Sequence, residues 1–212
     1  MKVEHTPPAP PESAPPLWVR ALHWINASAF MTMIASGWQI YRADPFWLPG
    51  LPEAMTLGGS LPGALQWHFA AMWLLIGNGV LALAVLIGGG RLRRVYWPVR
   101  LAQVGADIRG LLSRFRSRRG PGHGEGGRNH LQKLAYLGVL LLLSIEILSG
   151  LAMWKPVQLQ AIGAFMGGYE GARRVHFIGM SALAMFVAGH VALALASPRL
   201  LLAMLGIGGR RS

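Results

Sequence analysis

Cysteine is absent from this chain of 212 residues. That excludes iron-sulfur clusters, covalently attached c-type haem, thiolate-ligated haem and disulfides, all of which need a thiol. Any redox metal must be held by other side chains. Acidic residues are scarce too, with 8 Asp and Glu against 20 Lys and Arg, and charged residues of both signs make up only 13% of the chain. In their place stand 53% hydrophobic residues and 28 glycines, the balance of an integral membrane protein rather than of a soluble domain. The opening stretch MKVEHTPPAPPESAPP lacks the apolar core of a signal peptide and is too rich in proline to be helical. Residues 1–16 are expected to form a disordered cytoplasmic tail.

A spanning helix needs about 20 mostly apolar residues. Four segments meet that length: Leu17 to Tyr41, Leu65 to Gly88, His130 to Trp154 and Val175 to Ser197. The expected fold is therefore all-α, an integral membrane four-helix bundle over residues 17–198, followed by a cytoplasmic tail at 199–212. Arginines at 91, 93, 94, 100, 109, 114, 116, 118, 119 and 128 crowd the loop 90–129 between the second and third spans. The opposite loops hold only Arg42 in one case and Lys155, Arg173 and Arg174 in the other. By the positive-inside rule the basic loop is cytoplasmic, which places both termini inside and the protein in a bacterial inner membrane as a multi-pass protein. The net charge of +12 is thus a topology signal and does not imply a nucleic-acid partner. Within the loop, Trp97, Leu101, Val104, Ile108, Leu111 and Phe115 recur every three or four residues. That is the stripe of an extra amphipathic helix lying on the inner leaflet, against membrane lipid.

Histidines lie where apolar segments should have none, and an intramembrane imidazole is costly unless something holds it. His23 falls near the inner end of the first span and His68 near the outer end of the second. On the fourth span His176 is near the outer end and His190 near the inner end. The two are fourteen residues apart, about 21 Å along a helix and close to four whole turns, so they share a face. The four histidines make two pairs at two depths, His23 with His190 and His68 with His176. Such pairs suit two irons in non-covalent haem b, each with both axial positions filled, which leaves electron transfer as the chemistry.

Other residues bear on the same centres. Gly37 lies fourteen positions after His23, at the depth of the outer haem, and either makes room for a porphyrin or serves helix packing. Arg20, Arg128 and Lys133 lie at the inner level, Arg173 and Arg174 at the outer; cations there can pair with haem propionates. His130 is a third histidine at the inner surface, open to a propionate, a quinone or water. Glu146, a carboxylate in the outer half of the third span, is read either as hydrogen-bonded to a neighbouring helix or as part of proton uptake at a quinone site. Haem-free proton transport is the rival that intramembrane His and Glu residues keep open.

RALHW in the first span, WH at the start of the second, HLQKLAY opening the third, and GGYEGARRVHF followed by GH in the fourth resemble the membrane cytochrome b subunits of the cytochrome b561 and nickel-iron hydrogenase cytochrome b superfamily. PVQ and GGYEGARRVHF look most like the thiosulfate reductase cytochrome b type. The resemblance implies that His23 and His190 bind the inner haem and His68 and His176 the outer one. It also implies a quinone or quinol as redox substrate and a periplasmic oxidoreductase, often a molybdopterin enzyme, as partner. A stand-alone relative that oxidises superoxide or another small periplasmic donor shares the histidine layout.

Overall fold

The computed structural model describes residues 15–89 and 130–207, together with positions 103, 105, 106 and 108–110. Among the described residues every regular element is helical: α1 (Leu17–Ala43), a 3-10 turn (Glu53–Met55), α2 (Leu61–Gly88), α3 (His130–Trp154), α4 (Gln160–Phe165), α5 (Gly168–Leu195) and α6 (Pro198–Leu205). The proline-rich opening tail lies outside the described residues up to position 14. Of the surface helix expected between Trp97 and Phe115 only the scattered positions above are described, and these are helical; its apolar stripe, Ile108 apart, lies outside the described residues.

Among the described residues three helices are long and apolar enough to cross a membrane, at Leu61–Val85, Lys133–Trp154 and Gly168–Leu195. α1 has the length, 27 residues, but its Asn26, Thr32, Ser36 and Gln39 make it less apolar than the other three. Part of the reason is visible in its contacts: Ser36 meets a histidine of α2, and Gln39 holds the following loop.

α1 runs antiparallel along α2, since Ser36 meets His68 at one end while Asn78 Nδ2 donates to the Leu22 carbonyl at the other. α3 runs antiparallel along α5 in the same way. Small residues allow this close approach, with Ala29, Ser36, Ala64 and Ala71 buried in the first pair and Ser149, Ala152, Ala172 and Gly179 in the second. Backbones are close within each pair and further apart between pairs. The pairs meet instead through rings: Trp38 and Tyr41 against Phe177, and Phe69 and Trp73 against Trp154. Large apolar side chains such as Trp73, Leu81, Leu141 and Met185 face outward, as lipid-facing residues do.

The loop after α1 folds back on its own helix. The Tyr41 hydroxyl accepts from the Trp47 and Leu48 amides and donates to the Leu48 carbonyl, Thr56 Oγ1 donates to Gln39 Oε1, and the Leu57 amide donates to the Ala35 carbonyl. Gly58, at φ +113°, makes the turn into α2, where a Cβ would strike the Ala64 backbone. Ser60 then caps α2, with Pro62 in its first turn. A short helix, α4, interrupts the loop between α3 and α5. The segment 199–212, expected as a C-terminal tail, begins inside α6 (Pro198–Leu205).

Candidate functional site

Each pair of helices carries the same device. In α1 and α3 a serine is followed by a glycine, Ser36-Gly37 and Ser149-Gly150. On the partner helix stands a histidine in the pattern His-Phe-x-x-Met, His68 to Met72 on α2 and His176 to Met180 on α5. Ser36 Oγ lies 3.1 Å from His68 Nδ1, and Ser149 Oγ lies 3.0 Å from His176 Nδ1.

A serine hydroxyl has one proton and two lone pairs. Ser36 directs its proton at the Thr32 carbonyl one turn back, at 2.6 Å, and Ser149 directs its own at the Ile145 carbonyl, at 2.7 Å. Each hydroxyl can then only accept from the imidazole. Both histidines therefore carry their proton on Nδ1 and present a bare Nε2, the form of imidazole that binds a metal. The glycines let the rings lie flat against the helix: a Cβ at Gly37 would be 3.6 Å from the His68 ring and 4.0 Å from Met180 Sδ, and one at Gly150 would be 3.3 Å from the His176 ring.

The structure brings the four histidines together in the expected pairs. The ring centres of His68 and His176 are 6.3 Å apart with the planes at 62°. Those of His23 and His190 are 6.1 Å apart at 56°, with Trp24 edge-on to His23 and Phe186 stacked on His190. A metal bonded to a nitrogen of each ring, at about 2 Å per bond plus roughly the radius of the ring, puts the ring centres about 6 Å apart. Among the described residues no three His, Cys, Asp or Glu side chains gather around one point. Two imidazoles alone complete neither a zinc site nor any other four-coordinate metal, but they are what an iron needs when a macrocycle already supplies four nitrogens. The donor set therefore fits haem at both depths.

The remaining expected residues take varied places. Gly37 faces the His68 ring and Met180, which a Cβ there would meet. Arg20 donates from Nε to the Met204 carbonyl at 3.2 Å, at the end of α6. Arg173 pairs with Asp44 Oδ2 at 2.7 Å and Glu170 at 3.3 Å, also donates to the Asp44 carbonyl, and lies over the Phe46 ring. Arg174 is exposed. His130 is the first residue of α3, at the end where α5 finishes. Glu146 is packed against α5, with Oε2 3.0 Å from His176 Nδ1. The two serines escaped sequence reasoning, although the doubled Ser-Gly and His-Phe-x-x-Met patterns carried the signal.

Residues 15–206 match the family described as prokaryotic cytochrome b561. The chain is also 46% identical over 190 residues to YedZ1 of Azospira oryzae, named as a candidate subunit of a protein-methionine-sulfoxide reductase; the match covers 90% of this chain and 94% of the relative. No solved structure matches the chain.

Proposed function

The chain belongs to the prokaryotic cytochrome b561 family, and from that premise we propose that this membrane cytochrome b holds two haems and passes electrons between quinol and a periplasmic oxidoreductase. The observation that carries the reading is the pair of facing imidazoles at each depth, with ring centres 6.1 Å and 6.3 Å apart. Haem b bound there supplies a one-electron ferric/ferrous couple. His23 and His190 hold one haem, and His68 and His176 the other. Ser36 and Ser149 keep the ring protons on Nδ1 and the Nε2 lone pairs aimed inward. Because α5 supplies one ligand to each centre, a single rigid helix fixes their separation.

α1 crosses the membrane with α2, α3 and α5 to complete a four-helix bundle over 17–198, with Ser36 turned toward α2 and Gln39 toward the loop that follows. The arginine-rich loop 90–129 and both termini lie on the cytoplasmic side of a bacterial inner membrane. His68, His176 and the loop held by Tyr41 then face the periplasm, where the partner docks. The name of the Azospira relative supports a protein-methionine-sulfoxide reductase as that partner, and the resemblance to the thiosulfate reductase type supports one that uses molybdopterin. With a reductase outside, electrons flow from quinol through the inner and outer centres to the partner.

The test is a reduced-minus-oxidised spectrum of detergent-purified protein, with haem counted as the pyridine haemochrome. Two low-spin b haems per chain, with one lost on replacing either His176 or His190 by alanine, support the reading. A well-folded colourless protein overturns it. Oxidation of the quinol-reduced protein on adding the reductase and oxidised methionine in protein tests the partner, and reoxidation that needs no soluble subunit counts against that partner.

A further inference from the structure

The two histidines at the periplasmic end are not held alike. His68 faces neutral groups, the Ser36 hydroxyl at 3.1 Å and the Met33 carbonyl. His176 has the corresponding serine, Ser149, at 3.0 Å, and in addition Glu146 Oε2 at 3.0 Å from the same Nδ1. Met33 stands three residues before Ser36, and Glu146 three residues before Ser149. One half of the doubled device thus carries a carboxyl where the other carries a thioether.

The fold makes room for this carboxyl. Gly179 lies against it, and a Cβ there would collide with Glu146 Oε1. The Glu146 side chain is 13% exposed, and among the described residues Oε1 is buried with no hydrogen-bond partner. A buried carboxyl is costly to keep in an apolar helix. Methionine at the equivalent place shows that packing of the serine and histidine does not require it.

A carboxyl oxygen 3.0 Å from Nδ1 puts negative charge beside the imidazole ligand, and negative charge there favours the oxidised, more positive metal. We propose that Glu146 is a positioning residue that acts through His176 to hold the outer centre at a lower potential than neutral partners alone would give. This rests on the bis-imidazole reading above. Its effect falls on the outer centre alone, because Glu146 meets His176 and lies more than two helical turns from the level of His190.

The experiment is a potentiometric titration of the purified protein, following both haems, for wild type, Glu146→Gln and Glu146→Met. Gln keeps the size and an oxygen acceptor; Met copies the other half. Both variants are expected to keep two haems per chain. At a fixed ambient potential the reduced-to-oxidised ratio of the outer haem should rise about tenfold, equivalent to about 59 mV for a one-electron couple, with the inner haem unchanged. Ligand geometry, read from the low-spin ferric EPR signal, should move for one centre only. Two haems with unmoved potentials, or an equal shift of both, overturn the proposal and leave the dihaem reading standing. A wild-type protein without haem overturns that reading, and this inference with it.

Discussion

Ser36 on α1 accepts a hydrogen bond from His68 Nδ1 on α2 at 3.1 Å, while its own proton is committed to the Thr32 carbonyl at 2.6 Å. The bond joins the two helices of a pair and sets the tautomer of a candidate ligand in one contact. Ser36→Ala removes one of the two groups that hold this N–H, leaves only the Met33 carbonyl, and lets the ring turn. Partners of this kind typically contribute 10- to 100-fold to metal affinity. The expected outcome is a loss of that order in affinity at the outer centre, measured by titrating haem into the stripped protein. Ser36→Thr should restore it, and the inner centre should be unaffected.

The glycines behind the rings make a graded prediction. A Cβ at Gly37 would rest at 3.6 Å from the His68 ring, ordinary contact, whereas one at Gly150 would stand at 3.3 Å from His176, where the ring must yield. Gly37→Ala should leave haem content and spectrum close to wild type. Gly150→Ala should perturb the low-spin spectrum, and Gly37→Leu should lower haem retention outright, because a branched side chain fills the space the ring occupies. Equal tolerance of all three in haem quantification would show that the rings are not seated against these helices.

The histidine pairs were legible because helical rise converts sequence spacing into depth: fourteen residues separate His176 from His190, and the other two lie near opposite ends of their spans. The third and fourth spans were legible from apolar length. What spacing could not give was the second layer. Nothing in the spacing singles out Ser36 or Ser149, and only the orientation of their hydroxyls distinguishes a packing serine from one that holds an imidazole. Arg20 illustrates the converse. As a cation near His23 it fitted a propionate, but α6 folds back and supplies the Met204 carbonyl, a partner that depends on where a short helix docks and so cannot be read from spacing.

Tyr41 ties the loop after α1 to the helix that bears His176. Its hydroxyl makes three hydrogen bonds to the loop backbone, and its ring stacks on Phe177 at 4.7 Å. Tyr41→Phe keeps the stack and removes the three bonds. Backbone groups left unpaired cost about 1–3 kcal/mol, toward the lower end where water can reach them. The expected result is a lower melting temperature and faster protease cleavage between residues 44 and 57, with haem content intact.

The α1–α6 contact separates two roles for Arg20. Its Nε and the Trp24 indole both donate to the Met204 carbonyl at 3.2 Å, and Gly206, at φ +81°, turns the chain where a Cβ would strike the guanidinium. A positive side chain on the last carbonyls of a helix also complements its dipole. If this is what Arg20 does, Arg20→Ala and Gly206→Ala should act alike: each loosens α6, costs about 1 kcal/mol, shifts Trp24 fluorescence to the red and opens residues 198–207 to proteolysis. Neither should then move the potential of the inner haem. A shift of that potential in Arg20→Ala alone would return the residue to the propionate role that its place in the sequence first suggested.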